Sequence, residues 1–484
     1  MAIAVMNYSS IFNVKPAIEN PQIIICDDAH AGESFVVSMW SLEIDFDDDE
    51  KTFQALLGFF GDDIRSELRN VVGNSRLRDV DLIPLPKYGS RLSDLHSLLN
   101  DHCMRSNRLR YRWMAIKDHL AACCIFVSPT AFLIRPLIPP TEQHPTFAGA
   151  SHRVYMSATL GEDGDLERMF GVRKIARIRS ADLPEANSGR RLIVFPSMMH
   201  EDAQRRFYDE GLRRDSRAVV IASGGKKATR ALLKTLKSAS INVVDAKDIE
   251  EDLSAFTGSV GTALFLSNRY DGIDLPGDDC RRMLVSGVPG ALNLLEQFLR
   301  DRLQAHAVVR NRIRVRLTQA IGRCTRDKKD FALVVCDDND LKSWCSQGTN
   351  REGLSTELQS EIEFGLDQSE GEDQEGMSLA TANAAIEAFF GQSVDWQVDA
   401  DKWIRDRAKQ LKRVPSDTSG ALASSAQDEM AYVYAMWRED FAAAHEHAVK
   451  VVDQLNGSAL KPYRAFWEYL AAVAADSVHR VSGN

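Results

Sequence analysis

Several sequence features that mark common protein classes are missing from this chain. No stretch approaches the roughly 18 consecutive apolar residues of a membrane-spanning helix, and the first residues lack the basic flank of a signal peptide. The eight cysteines are scattered, with no C-x-x-C pair, so neither a disulfide framework nor a zinc site is indicated. We therefore expect a cytoplasmic protein.

A phosphate-binding loop is missing as well. In many nucleotide-binding proteins the string G-x-x-x-x-G-K-[ST] cradles phosphates with backbone amides, and its lysine neutralises their charge. The 484 residues contain no such string, and the nearest imitation, G-G-K-K at 224–227, lacks the leading glycine. Any nucleotide site must therefore be inferred from other residues.

The composition is that of an ordinary soluble globular protein, with 44% hydrophobic and 26% charged residues and enough length for two or three domains. A net charge of −10 argues against indiscriminate binding of polyanions. The charges are segregated, however, with eight arginines between positions 300 and 326 and a strongly acidic stretch at 361–375. This segregation allows a basic cleft on an acidic protein.

The most informative stretch is Q-A-I-G-R-C-T-R at 319–326. Arg323 and Arg326 are three residues apart and Gln319 lies four residues before the first, so a helix places all three on one side. Guanidinium groups, which keep their protons, suit the charge that spreads over a transferring γ-phosphate. A solvated helix face is the alternative interpretation of such a pair.

Two further stretches end short extended runs. Asp27 and Asp28 follow the apolar run 23–25 within C-D-D-A-H, and Y-M-S-A-T-L at 155–160 follows a second run. A β-branched run that ends in paired carboxylates predicts a buried parallel strand with acids at its carboxyl end, where α/β sheets bind ligands.

In this order the stretches resemble motifs II, III and VI of superfamily 2 DEAD/DEAH-box helicases, and R-Y-D-G-I-D-L-P-G at 269–277 resembles motif V. The wording of motif V and the long gap between motifs II and III are most similar to the DinG-like branch. Members of that branch often carry a four-cysteine iron–sulfur cluster ahead of motif II, which this sequence cannot supply. The resemblance covers residues 26–326, and it implies that the N-terminal Walker A segment is lacking.

The predicted fold is α/β, with two RecA-like parallel-sheet domains, the first of them incomplete, a helical insertion and a helical C-terminal region. Helical spacing of Phe53, Leu56 and Phe60, and of Leu109 and Trp113, supports the insertion. A strand is also expected just before Tyr8. The predicted domains are a partial first RecA-like domain at 1–46 and 127–188, a helical arch-like insertion at 47–126, a second RecA-like domain at 189–345, an acidic linker at 346–378 and a helical region at 379–484.

The resemblance implies ATP and Mg²⁺ as cofactors. Asp27 would hold Mg²⁺ through its waters, and Asp28 would orient the attacking water. The family usually has Glu at the second position, so the shorter Asp28 puts the hydrolysis rate in question more than metal binding. His30 would couple motif II to the second domain, with capping of the next loop as the alternative.

Motifs V and VI supply the other implied nucleotide contacts. Arg323 and Arg326 would reach the γ-phosphate across the interdomain cleft, with Gln319 beside them. Gly272 would allow close backbone approach, and Asp274 would contact the ribose or an arginine finger.

The implied partner is a single-stranded nucleic acid, which we expect to be DNA. Asn7 and Tyr8 resemble the strand-contacting segment ahead of motif II, with an ordinary buried strand as the alternative. Ser157 and Thr159 of motif III would link the acids to the strand-binding side, and Ser223 lies where motif IV is expected.

Within the insertion, cations interleave with aromatic residues, as they do on strand-binding surfaces. Arg108 and Arg112 are the predicted contacts. The alternative is that Trp113 belongs to the core and the arginines form the solvated back of its helix.

Two functions remain open from the sequence. The first is an ATP-dependent helicase or translocase that is inactive alone because its phosphate-binding loop is missing. An N-terminal extension or a separate partner chain would then supply the Walker A segment. The second is a non-catalytic nucleic-acid-binding or regulatory protein that resembles a helicase.

Overall fold

The structure is a computed structural model that describes residues 3–74, 77, 79–157, 163–178, 189–224, 226–249, 252–268, 273–275, 277–290, 293–325, 327–371 and 375–482. The chain folds into two compact units. The first unit comprises Met1–Ile178, Ala291–Val309 and Asp417–Asn484, and the second comprises Arg179–Gly290 and Arg310–Ser416. None of the described helices combines the length and the apolar composition needed to cross a bilayer.

Strands and helices alternate along most of the chain. The described strands are β1 (Ile23–Cys26), β2 (Leu42–Asp45), β3 (Asp81–Ile83), β4 (Cys123–Val127), β5 (Ala131–Pro136), β6 (His152–Tyr155), β7 (Arg190–Val194), β8 (Ala218–Ala222), β9 (Asn242–Asp245), β10 (Thr262–Ser267), β11 (Arg282–Ser286) and β12 (Phe331–Cys336). The described α-helices are α1 (Tyr8–Ile11), α2 (Gly32–Met39), α3 (Glu50–Phe60), α4 (Ser66–Arg69), α5 (Leu85–Tyr88), α6 (Leu92–Cys103), α7 (Arg110–Ile116), α8 (Pro145–Gly149), α9 (Asp165–Phe170), α10 (Glu201–Gly211), α11 (Lys226–Ser238), α12 (Ser254–Thr257), α13 (Leu294–Gln297), α14 (His306–Ile321), α15 (Asn339–Ser346), α16 (Gly348–Arg351), α17 (Thr356–Glu370), α18 (Leu379–Phe390), α19 (Lys402–Gln410), α20 (Ser419–Trp437), α21 (Phe441–Gln454) and α22 (Lys461–Ser482).

The described strands of the second unit form one sheet in the order β7-β12-β11-β8-β10-β9. Every neighbouring pair is parallel. Strands β8 and β10 are apolar and almost completely buried, as expected when a parallel sheet is covered on both faces. The predicted mixed α/β fold with parallel sheets is confirmed.

The first unit contains two described sheets. Strands β1 and β6 pair in parallel, and β2, β5, β4 and β3 form an antiparallel sheet in that order. The insertion predicted to be helical at 47–126 also contains strands, because β3 and most of β4 lie inside it. The predicted helical faces are correct, since Phe53, Leu56, Leu109 and Trp113 are buried. The missed strands are short, and their apolar runs resemble buried helix segments in the sequence.

The strand expected before Tyr8 is also absent from the described residues 3–7. Asn7 instead caps α1, because its side-chain oxygen accepts a hydrogen bond from the Ser10 N–H at 3.1 Å. The helix predicted near Tyr8 and the strand at β1 are both present.

The prediction of an acidic linker at 346–378 was wrong, because the middle of this segment is a helix with a buried face. Its centre is helix α17, which packs on β7, where a side chain at Gly365 would collide with the Ile193 carbonyl. The acids are neutralised there: Glu361 lies 2.6 Å from the Arg191 guanidinium and 3.1 Å from that of Arg190. An acidic sequence therefore folds as a buried helix, because the adjoining strand carries the opposite charge.

The C-terminal region at 379–484 is helical, as predicted, but it is divided between the two units. Helices α18 and α19 belong to the second unit, and α20 to α22 belong to the first. A buried pair ties α20 to α9: the Arg168 Nη2 lies 2.6 Å from Glu429 Oε1. Ser425 and Tyr463 donate further hydrogen bonds to the Glu429 carboxylate at 2.7 and 3.0 Å. Burial lowers the pKa of Arg168, but the Glu429 carboxylate outweighs this effect and brings the pKa above its usual value, so the Arg168 guanidinium stays charged.

We predict that Glu429→Ala destabilises the first unit by about 3–5 kcal/mol, because it leaves the Arg168 charge buried without a counter-charge. Urea denaturation measures the change. The double variant Arg168→Met/Glu429→Leu should recover most of the loss, since it removes both charges, and Glu468→Ala on the exposed face of α22 should have little effect. Equal stability of Glu429→Ala and the parent would contradict the role of this pair.

Candidate nucleotide and nucleic-acid sites

The two predicted acids form a turn at the carboxyl end of β1. Asp27 is exposed, and one of its carboxylate oxygens accepts a hydrogen bond from the Asp28 N–H at 3.0 Å. Asp28 has a φ of 42°, in the left-handed region, which Asp tolerates better than most side chains do. This backbone conformation gives a physical reason for Asp where the family usually has Glu.

The parallel pairing of β1 and β6 brings motif II beside motif III. The Met156 N–H donates to the Cys26 carbonyl at 2.9 Å, and the Ala29 N–H donates to the Met156 carbonyl at 2.8 Å. Ser157 therefore follows directly on a residue that is bonded to the acid turn. Thr159 lies outside the described residues.

Asn7 and Tyr8 have local structural partners. The Tyr8 hydroxyl donates to the Asp27 carbonyl at 2.7 Å. Its ring lies so close to Gly32 that an added Cβ would stand 2.8 Å from the ring. Burial raises the pKa of the Tyr8 hydroxyl, and Cys26 and Asp28 add to the effect, so the hydroxyl remains a donor. Tyr8 therefore holds the acid turn, and its contact with nucleic acid stays a prediction.

The acid turn fits a hydrated Mg²⁺ ion. Mg²⁺ keeps several waters and needs only one or two carboxylates when phosphates complete its shell. An exposed Asp27 at a strand end meets that requirement. Across the described residues no cluster of three or more His, Cys, Asp or Glu side chains could hold a metal by itself. His30 is buried in the short helical turn Ala29–Ala31 that follows.

One face of the β1–β6 pair is uncovered. Ile23, Ile25, Val154 and Met156 are 54%, 62%, 44% and 43% exposed, whereas the opposite face, with Ile24, is buried in the core. Within the described residues no further strand joins this pair. Parallel sheets normally bury both faces, so this surface is unusual.

Three loops meet at the carboxyl edge of the second sheet. The Ser223 N–H, after β8, donates to the Ser286 carbonyl at 2.7 Å. Asn268, after β10, accepts from the Gly224 N–H at 3.0 Å and donates to the Gly224 carbonyl at 2.7 Å. Gly287, after β11, has a φ of 84° and leaves no room for a Cβ against the Ser223 carbonyl. The predicted Ser223 is therefore fixed in a linked set of loops.

Arg323 braces motif V. The residue is buried, with 2% of its surface exposed. Its Nη1 donates to the Ile273 carbonyl at 2.9 Å and lies 3.7 Å from Asp274 Oδ1. The Leu275 N–H donates to the Arg323 carbonyl at 3.1 Å. Gln319 is half-buried on α14. Gly272 and Arg326 lie outside the described residues.

Asp330 holds the ends of motifs V and VI together. One of its oxygens accepts from the Gly277 N–H at 3.0 Å, and the other accepts from the Asp327 N–H at 2.8 Å. Sequence reasoning missed both Asp330 and Asn268. An Asn directly after a predicted strand was a usable signal, whereas nothing in the sequence pointed to Asp330.

The arginine-rich stretch does not form an open basic surface throughout. Arg314 and Arg316 are buried and donate to the carbonyls of Thr349 and Gly290, each at 2.6 Å. In the insertion Arg108 pairs with Asp49 and donates to the Glu43 carbonyl at 3.0 Å. Much of the local basic charge therefore stabilises the fold.

Arg112 is half-buried, and the guanidinium of Arg108 is a neighbouring positive charge. Burial lowers its pKa, and the neighbouring Arg108 lowers it further, while Glu43 opposes both. Trp113 is buried, so the core alternative describes this residue correctly. The contacts predicted for Arg108 and Arg112 with nucleic acid stay predictions.

One part of the chain matches a known protein family. Residues 181–350 match the family model of the helicase C-terminal domain. This match covers about a third of the chain and assigns a helicase C-terminal domain to that part of it. No curated protein matches the sequence.

Solved structures also match this chain, at low sequence identity. They include an XPD helicase (14% identity, 69% of this chain and 69% of that chain covered, TM-score 0.41), an apo XPD structure (15%, 66% and 73%, 0.41) and Xpd4 of S. tokodaii (13%, 71% and 78%, 0.36).

We predict that Arg323→Gln destabilises the second unit by about 1–3 kcal/mol, because the buried Ile273 carbonyl loses its charged donor. Differential scanning calorimetry measures the change. Arg205→Gln, on the exposed face of α10, is the matched control and should leave the transition unchanged. An unchanged transition in Arg323→Gln would show that Arg323 does not brace motif V.

Proposed function

We propose that this chain is the motor part of an ATP-dependent helicase or translocase that moves along single-stranded nucleic acid, DNA being the expected substrate. The observation that carries the proposal is the β1–β6 pairing, in which the Ala29 N–H and the Met156 carbonyl link the acid turn to motif III at 2.8 Å. Acids at the carboxyl end of a parallel strand are placed where such sheets bind ligands.

Each polar residue of the proposed nucleotide site has a distinct role. Asp27 holds Mg²⁺ through water, and Asp28 orients the attacking water. When bound, Mg²⁺ neutralises the charge that develops on the phosphates. Because the Arg323 guanidinium is bonded to the Ile273 carbonyl, Arg326 supplies the γ-phosphate contact and Arg323 fixes the motif V loop. Gln319 contributes a polar contact beside them.

The phosphate-binding loop comes from another polypeptide segment, which also covers the first sheet. The exposed Ile23, Ile25, Val154 and Met156 side chains support this part of the proposal, because a covering segment would remove them from water. Such a segment, placed beside β1 or β6, would bring its loop to the same sheet edge as Asp27.

We predict that the 484-residue chain alone shows no strand-stimulated release of phosphate from ATP. Adding a polypeptide that carries the G-x-x-x-x-G-K-[ST] loop should restore turnover, and Asp27→Asn should abolish it. In the completed protein Arg326→Ala should lower the turnover number by roughly 10³- to 10⁵-fold, as loss of an arginine finger does. Robust turnover by the chain alone that Asp27→Asn removes would contradict the missing-loop proposal.

A non-catalytic nucleic-acid-binding protein is the second candidate. The inward-facing Arg323 and the missing phosphate-loop string favour it. ATP turnover, measured after the polypeptide with the phosphate-binding loop has been added, separates the two candidates. A regulatory protein would bind a single strand and still not turn over ATP.

Strand binding by the chain itself is testable without ATP. We predict that affinity for a single-stranded oligonucleotide falls steeply between about 50 and 200 mM salt, because phosphate contacts release counterions. Fluorescence anisotropy measures the slope. Affinity that does not change with salt would contradict an electrostatic strand-binding surface.

A further inference from the structure

An aromatic side chain stands in solvent on the insertion. Tyr111, on α7, is 55% exposed, and Met114, three residues later, is 39% exposed. Residues three apart lie on the same side of a helix, so the two side chains form one apolar strip. The opposite side of α7 is buried through Trp113 and Ile116. The helix therefore packs through Trp113 and Ile116, and the Tyr111 ring is left accessible to a ligand.

The charge around this strip is positive. Residues 102–117 contain four arginines and one lysine and no acidic residue, in a chain of net charge −10. The Arg110 guanidinium lies 5.7 Å from the centre of the Tyr111 ring. Arg105 and Arg110 are exposed, and no carboxylate of the described residues forms an ion pair with either. Their charge differs in this respect from that of Arg108, which Asp49 neutralises.

The chemistry of this surface fits an unpaired base attached to a phosphate backbone. An aromatic ring stacks on a base of any identity, and adjacent guanidinium groups attract the flanking phosphates. A duplex would not fit, because its bases are stacked within the helix and only their edges face the grooves. An acidic peptide would use the arginines and leave the Tyr111 ring without a partner.

We propose that Tyr111 is a stacking platform for one base of a single-stranded nucleic acid, with Arg105 and Arg110 on the neighbouring phosphates and Met114 at the edge of the ring. The proposal deepens the proposed function, on which its ligand class rests, and it names contacts other than Arg108 and Arg112.

The test measures anisotropy of a labelled single-stranded thymidine oligonucleotide with the full chain. Tyr111→Ala should weaken binding ~5- to 150-fold, the range found when stacking aromatics are truncated. Tyr111→Phe keeps the ring and should bind nearly as well as the parent. Trp403→Ala, which truncates a 43% exposed aromatic residue of the second unit, is the matched control and should not change the affinity.

An oligonucleotide with abasic sites separates stacking from charge attraction. The parent should bind it more weakly than the thymidine strand, and Tyr111→Ala should bind the two equally. If the parent binds thymidine strands but Tyr111→Ala binds equally well, the platform is refuted and the proposed function stands. If the parent binds no single strand even at low salt, both are refuted.

Discussion

The two faces of a parallel strand pair are normally both covered by helices or other chain segments, which keep its apolar side chains from water. The β1–β6 pair meets this condition on one side. Ile24 and Cys26 pack into the core with Phe12 and Phe170, whereas Ile23 and Ile25 face solvent. Because the acid turn is the direct continuation of β1, the geometry of the proposed nucleotide site depends on what covers this face.

Internal neutralisation of charge is the second theme of the structure. Glu361 is buried against Arg190 and Arg191, and Arg168 is buried against Glu429. Buried pairs of this kind contribute little net stability, but loss of one partner is costly, so they fix which elements pack together. They place α17 on the second sheet and α20 against α9 of the first unit. The charges that remain outside, such as those near Tyr111, are the ones available for a ligand.

The sequence was a reliable guide where local pattern determines structure. Helical spacing identified the buried faces that contain Phe53 and Trp113, and apolar runs identified the parallel strands β1, β8 and β10. The antiparallel sheet was missed because the short strand β3 pairs with β4 about 40 residues later, and because the apolar run of β4 resembles a buried helix segment. The acidic composition of α17 was misleading for a similar reason. The arginine that neutralises Glu361 is Arg191, which lies 170 residues earlier in the chain.

The candidate site divides in the same way. The positions of Asp27 and Asp28 at a strand end follow from the apolar run before them, and the structure places them there. The Arg323 side chain points towards the Ile273 carbonyl, which could not be predicted. Helical spacing shows on which side of the helix a residue lies, but it does not show which group that residue contacts. Asn268 and Asp330 act through backbone groups of other loops. The position of Asn268 directly after a predicted strand was a usable signal, whereas nothing in the sequence pointed to Asp330.

Native-state hydrogen exchange at the backbone amides of β1 and β6 tests the central claim most directly. The antiparallel strands β4 and β5 of the same unit are the internal reference, since both are buried. If the β1–β6 pair lacks cover on one face, its amides should exchange orders of magnitude faster than those of β4 and β5, and should become protected when a completing segment is added. Equal protection of the two sheets in the chain alone would contradict this account.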